Sequence, residues 1–209
     1  MIKIAHRGLS HHYVDNSLEA FQQAVDKEFD MIELDIQLCS NDIVVYHDTY
    51  YLSKLIRDYT IEECKQHHML SLDDFLEQVD SHTTKLFFDL KGSIDICVPL
   101  IDKLLKYDIC YSNVYISAFN RHHIKILREF RLPIHLGFTT STIYTIDDLE
   151  YLTKEIDFMC VHWTVLTHEL TTYLHNKQKL LFSFTAKEYY QYLYMKKFDI
   201  DGIVTNFEI

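Results

Sequence analysis

Residues 31–48, MIELDIQLCSNDIVVYHD, hold the side chains best suited to chemistry. In a strand starting at Met31, alternation sends Glu33, Asp35 and Gln37 to one face and Ile32, Leu34 and Ile36 to the other. Two carboxylates about 7 Å apart along one strand face repel each other strongly once burial lowers the dielectric. A divalent cation between them is the simplest relief, and all-oxygen ligands suit Mg²⁺ or Ca²⁺. His47-Asp48 ends the apolar run of residues 43–46 and so falls at a strand tip. The pattern is that of an oxygen-ligated metal site with an imidazole beside it.

Such residues need elements to hold them. Strand-length apolar runs occur at residues 2–5, 31–36, 86–90, 114–117, 134–138, 158–161, 180–184 and 202–205. Amphipathic segments at 17–28, 73–79, 94–107, 120–130, 147–155, 167–176 and 187–198 alternate with them, and Ser17 is placed to cap the first. Strand–helix alternation implies parallel pairing through right-handed crossovers. Eight units in one domain, residues 1–209, predict an α/β fold of the (β/α)₈ TIM-barrel type. The interval between the second and third strands is about twice the usual βαβ length of ~30 residues. It carries a short hairpin ending at His47 and two short helices, at 60–69 and 72–79. An enlarged loop there belongs at the carboxyl end of the barrel, where active sites are built.

On that frame the polar residues converge. His6-Arg7-Gly8 ends the first strand, Glu33 and Asp35 end the second, and Phe87, Asp89 and Lys91 share one face of the third. Barrel interiors favour Val, Ile and Leu, so charges at these points need a functional reason. The doublets His11-His12, His67-His68 and His122-His123 lack partners on adjacent strands and are assigned to surface or helix-end positions. Trp163 and the fifteen tyrosines are assigned to packing or to a rim over the site.

Composition narrows the partners. A net charge of −11 disfavours nucleic acid, which requires a basic footprint, but leaves room for a small phosphate ligand. Five cysteines with no CxxC spacing predict free thiols in a reducing compartment, neither a disulfide frame nor a zinc site. No signal peptide and no transmembrane run is visible, so a cytoplasmic location is expected.

Taken in order, His6-Arg7-Gly8, Asn16-Ser17-x-x-Ala20-Phe21, Glu33-x-Asp35 and His47-Asp48 resemble the glycerophosphodiester phosphodiesterase family. Weaker echoes follow: LSLDDFLE at 70–77, FFDLK at 87–91, ISAF at 116–119 and DGIVTNF at 201–207. The resemblance implies a TIM barrel and metal-dependent hydrolysis of glycerophosphodiesters to an alcohol and sn-glycerol 3-phosphate. It implies His6 and His47 as the acid and base pair, with Arg7 and Lys91 on the phosphate. Glu33, Asp35 and Asp89 would hold one divalent metal ion. It also suggests that the glycerol 2-hydroxyl attacks first and that water then opens a cyclic phosphate. Which histidine is acid and which is base stays open.

The chain departs from the family pattern at several points. Asp15-Asn16-Ser17 replaces Glu-Asn-Thr, Asp89 replaces a Glu one methylene longer, Phe184-Thr185 replaces Trp-Thr, and Asn206 replaces an Asp. Asn41-Asp42 stands where the hairpin turns on Asp-Gly, and both residues tolerate positive φ. Two alternatives accompany the hydrolase reading. One is a lysophospholipase D or sphingomyelinase D type of phosphodiesterase, for which the aromatic content of 14% could supply an apolar groove. The other is a non-catalytic barrel that binds a phosphodiester.

Overall fold

The computed structural model describes residues 1–209. Strand β1 (Ile2–His6) leads to α1 (Leu18–Asp26) and β2 (Met31–Leu38), and β3 (Ile43–Val45) folds back on the end of β2. The excursion that follows holds β4 (Tyr50–Tyr51), β5 (Lys54–Leu55), α2 (Ile61–Gln66), β6 (Leu70–Ser71) and α3 (Leu72–Gln78). Regular alternation then resumes with β7 (Lys85–Leu90), α4 (Cys97–Lys106), β8 (Val114–Ala118) and α5 (Arg121–Glu129). It continues through β9 (His135–Thr140), α6 (Ile146–Leu152), β10 (Phe158–His162) and α7 (His168–Asn176). The chain closes with β11 (Leu180–Ala186), α8 (Tyr189–Met195) and β12 (Gly202–Thr205).

β1 pairs in parallel with both β2 and β12, and this double pairing closes the sheet. β7 to β11 complete the ring, so the predicted (β/α)₈ barrel is the fold. Hydroxyl and amide side chains start most of the helices. Ser17, Thr60, Ser71, Asn120, Thr145 and Thr167 each accept a backbone N–H of the following turn. Each such cap stabilises its helix by about 1 kcal/mol. Residues 206–209 follow β12 outside any helix.

Two layers of apolar packing result. Outward-facing strand residues such as Ile32, Leu34, Phe88 and Ile116 pack against the helices. Inside the barrel floor the filling is aromatic: Phe87, Tyr115, Phe158 and Phe182 cluster with Ile4, Met31 and Val204. Phe158 meets Phe87 edge to face at 5.5 Å. The expected Val/Ile/Leu interior is thus largely replaced by rings, because glycine makes space for them. A Cβ on Gly137 would lie 2.3 Å from the Phe158 ring.

Several boundaries differ from the sequence reading. The helix predicted at 187–198 is only α8, since Glu188 and Gln191 form its capping box and the chain must turn after Met195 to reach β12. The predicted segment 94–107 begins as a 3₁₀ turn, Ile94–Ile96, before α4. The hairpin turn does not use positive φ at Asn41 or Asp42. Instead Cys39 N–H donates to the Asp42 carbonyl at 2.9 Å. The Asn41 amide oxygen, freed from turn duty, takes the Ile61 N–H at 3.0 Å. All five cysteines are free, as expected. No helix is long and apolar enough to cross a membrane.

Candidate active site

Register sets the site. β2 extends beyond its neighbours, and parallel pairing places His6 of β1 beside Glu33 and Asp35 beside Asp89 of β7. Inward alternation at these rows puts charge just above the aromatic floor. His6, Arg7, Glu33, Asp35, His47, Asp89 and Lys91 all line one cavity of about 270 Å³ at the carboxyl ends of the strands. Phe87, Phe119, Thr139, Cys160, Phe184, Thr185, Lys187 and Val204 complete its wall.

The three carboxylates are buried, and one oxygen from each lies within 4.8 Å of the others. Asp35 is the best compensated. Lys91 Nζ sits 3.0 Å from its Oδ1 and Arg7 Nε 2.8 Å from its Oδ2. Burial pushes the Asp35 carboxyl up, but Lys91, Arg7 and the Asn16 amide outweigh it and hold its pKa below the usual range. Asp89 pairs with Lys91 and accepts the Ser117 hydroxyl at 3.3 Å, yet burial leaves its pKa raised. Glu33 has no cation partner. Its Oε2 accepts the Arg7 backbone N–H at 2.9 Å, while burial, then Asp35 and Asp89, push its pKa well above normal.

That imbalance fits a metal ion. The donors are carboxylate oxygens, and their spacing matches a single ion, because ligands on opposite sides of Mg²⁺ or Ca²⁺ stand about 4–5 Å apart. Positive charge is lacking where Glu33 stands. The shorter Asp89 side chain does not withdraw from the cluster.

Arg7 reaches this position through an unusual backbone. It has φ +57° and is followed by Gly8 at φ +77°, so two left-handed residues turn the chain and aim the Arg7 N–H at Glu33. Gly8 is required twice over, since a Cβ there would also lie 2.5 Å from the Ala20 backbone carbon. The guanidinium donates to Asp15 Oδ2 at 2.8 Å. Its Nε, buried and close to Asp35, has no aligned acceptor.

The histidines differ in their surroundings. His6 Nδ1 donates to the Asn206 side-chain oxygen at 2.7 Å. Burial, reinforced by Arg7, pushes the His6 pKa down to about 4. His47 is more exposed and its Nδ1 meets Asp48 Oδ1 at 2.7 Å. Gln37 fixes the segment bearing His47: its Nε2 donates to the Tyr46 and Asp48 carbonyls at 2.8 and 2.9 Å.

Two residues that sequence reasoning left without a role also belong to the site. Asn16, left-handed and buried, donates to Asp35 Oδ2 at 3.0 Å and accepts the Asp35 N–H at 3.2 Å. Its signal was its place in the Asn16-Ser17 motif. Asn206 had only its departure from a family Asp to mark it. Of the doublets, His67 ends α2, His123 is buried on α5, and His11 and His12 lie on the β1–α1 loop, all away from the carboxylates.

The model of the glycerophosphoryl diester phosphodiesterase family matches residues 6–208. A glycerophosphodiester phosphodiesterase of Bacillus altitudinis is 29% identical over 236 residues, covering 99% of this chain and 95% of the relative. The crystal structure of a glycerophosphodiester phosphodiesterase from Thermotoga maritima superposes with a TM-score of 0.83 at 23% identity, over 99% of this chain and 94% of the other. A phosphodiesterase from Oleispira antarctica, solved in complex with the product sn-glycerol-3-phosphate, superposes with a TM-score of 0.86 at 18% identity, over 100% and 94% of the two chains.

Proposed function

The chain belongs to the glycerophosphoryl diester phosphodiesterase family, and from that premise we propose that it hydrolyses glycerophosphodiesters to an alcohol and sn-glycerol 3-phosphate. One observation carries the proposal: two imidazoles, three carboxylates, a guanidinium and the ammonium groups of Lys91 and Lys187 converge on one small cavity.

A phosphodiester is an anion that hydrolyses very slowly, so catalysis must neutralise charge and manage two protons. Arg7 and Lys91, both lining the cavity, bring positive charge to the phosphate. Glu33, Asp35 and Asp89 would hold one Mg²⁺ or Ca²⁺. When bound, that ion supplies Lewis-acid polarisation of a phosphate oxygen. Of His6 and His47, one takes the proton of the attacking hydroxyl and the other gives a proton to the departing alcohol oxygen. Phe119 and Phe184, which meet edge to face at 6.1 Å, wall one side of the cavity against water.

The test is release of sn-glycerol 3-phosphate from glycerophosphocholine, read by a coupled enzyme, with and without chelator and with His47→Ala. Chelation should abolish release and Mg²⁺ or Ca²⁺ restore it, while the substitution should cost about 10²–10⁴-fold, the usual worth of a positioned acid or base. A cation-induced rise in melting temperature should accompany the restored activity. Equal rates under all conditions would leave a phosphodiester-binding barrel in place of an enzyme.

A further inference from the structure

Three cations border the catalytic cavity, and two of them are already engaged. Arg7 is held by Asp15 and Asp35, each at 2.8 Å, and Lys91 by Asp35 and Asp89. Lys187, directly after β11, has no carboxylate within ion-pair reach. An exposed lysine without a partner is ordinary on a protein surface. This one is rooted in a fixed turn at the rim of a cavity. Its own N–H donates to Gln191 Oε1 at 2.8 Å, and the N–H of Glu188 donates to the same oxygen at 2.9 Å.

Strand order says what it faces. Around the ring β11 lies four staves from β7 in either direction, so Lys187 stands across the mouth from Lys91 and the carboxylates. A phosphate drawn to that cluster has its ester arms left to fill the opposite side. A second hollow, of about 540 Å³, also borders Lys187, which is the one residue the two hollows share. Tyr13, Tyr189 and Phe207 give the second hollow aromatic walls. Its acids are Glu188 and Glu208, the latter paired with Lys27 at 2.8 Å, and neither lines the catalytic cavity. A quaternary ammonium would look for ring faces clear of other cations. Phe119 and Phe184 do not offer them: Lys91 Nζ lies 5.8 Å from the Phe119 ring centre, and Phe184 belongs to the strand end that carries Lys187.

We infer that Lys187 is a specificity-determining residue that binds an oxyanion, a carboxylate or a phosphate, on the departing alcohol of the substrate. The inference rests on the hydrolase reading and names a substrate class within it: glycerophosphodiesters whose headgroup carries a negative charge of its own. The glycerol arm is uncharged, so only the alcohol arm can bring an anion to Lys187. Arg7 and Lys91 do not compete for it, because carboxylates hold both. An ammonium is a compact charge with three rotatable donors and takes a carboxylate or a phosphate oxygen without a fixed geometry. Because Lys187 is exposed, its attraction is open to screening by salt.

The experiment compares matched diesters on the full chain, unsubstituted and with Lys187→Gln or Lys187→Glu. Glycerophosphoserine differs from glycerophosphoethanolamine by one carboxylate. Glycerophosphoinositol with and without a ring phosphate supplies the second pair. The quantity read is the ratio of kcat/KM within each pair, charged member over uncharged. Lys187→Gln should lower that ratio about tenfold, the worth of a charge-assisted hydrogen bond in an exposed setting, and Lys187→Glu should lower it further. Raising salt from about 0.05 M to about 0.5 M should shrink the ratio in the unsubstituted protein and leave that of Lys187→Gln nearly flat. A fall in the first pair alone assigns the carboxylate, and a fall in the second alone assigns the phosphate. Ratios that do not move in either pair would overturn the inference. So would an equal loss on both members, which would place Lys187 on the scissile phosphate or in folding. Absence of product from every diester in the unsubstituted protein would sink the hydrolase reading instead. Titration calorimetry with the same pairs then reads Lys187 without turnover: tighter binding of the charged member, lost in Lys187→Gln, keeps the oxyanion contact, and equal binding ends it.

Discussion

Glu33→Gln should make the metal-free protein more stable while destroying its function. Glu33 is 4% exposed, and its side chain takes part in no ion pair; its only hydrogen bond is the Arg7 N–H at 2.9 Å. An amide oxygen can accept the same bond, so the substitution removes charge and little else. Two other carboxylates have oxygens within 4.8 Å. At an effective dielectric of about 20, each such pair repels by roughly 3 kcal/mol before Lys91 and Arg7 offset part of it. A net gain of about 2 kcal/mol is reasonable at pH 8, which in a chain of this size raises Tm by about 4–8 °C. The pH dependence has a definite sign. The folded pKa of Glu33 lies above its unfolded value, so the native state binds the extra proton. The wild-type handicap is therefore absent well below pH 4.5 and grows as pH rises through the folded pKa. Thermal melts from pH 4 to 8, with chelator and then with saturating Mg²⁺ or Ca²⁺, read all of this. In chelator the variant should lead at pH 8 and lose its lead at pH 4. With the cation, wild type should gain Tm and the variant gain little or none. A metal-free variant less stable than wild type at pH 8, or a gap independent of pH, would refute the view that Glu33 is an uncompensated charge awaiting a cation.

Asn16→Ala removes both hydrogen bonds to Asp35 and should cost about 1–3 kcal/mol in denaturant unfolding. It should also weaken cation binding about 10–100-fold by titration calorimetry, since Asp35 loses the partner that orients it. Gly137→Ala drives a Cβ to 2.3 Å from the Phe158 ring and should lower stability by about 1–3 kcal/mol or more. An unchanged Tm in Gly137→Ala would mean the aromatic floor can shift to make room.

Much of the site was legible because it is local. His6, Arg7, Glu33, Asp35 and His47 fall within residues 5–48, and strand alternation alone puts Glu33 and Asp35 on one face and aligns Asp89 with Phe87. Parallel register then brings Asp35 and Asp89 side by side, which the strand order predicts. What sequence reasoning missed depends on chain returns that spacing does not encode. Asn206 meets His6 only because β12 closes against β1. Asn16 clamps Asp35 only because two left-handed residues, Arg7 and Gly8, turn the intervening loop inward. The aromatic floor escaped notice because rings from β7, β8, β10 and β11 fill it jointly, and no single strand reveals that. The turn at residues 39–42 was misjudged because Asn41 serves α2 through its side chain and does not need a left-handed backbone.

β2 is eight residues long where β1 has five, and the surplus continues straight into pairing with β3. β3 in turn pairs with β6, so the chain leaves this ladder after Val45 and rejoins it at Leu70. The imidazole of His47 and the acidic cluster consequently share one continuous rail, already braced by Gln37 before the excursion starts. Everything between Asp48 and Leu70 hangs from a completed frame. That stretch supplies no residue to the wall of the cavity, but its Ile56, Tyr59, Ile61, Cys64 and Met69 bury Cys39 and Val44, so changes there act on the backing of the rail and reach the acidic cluster only through it.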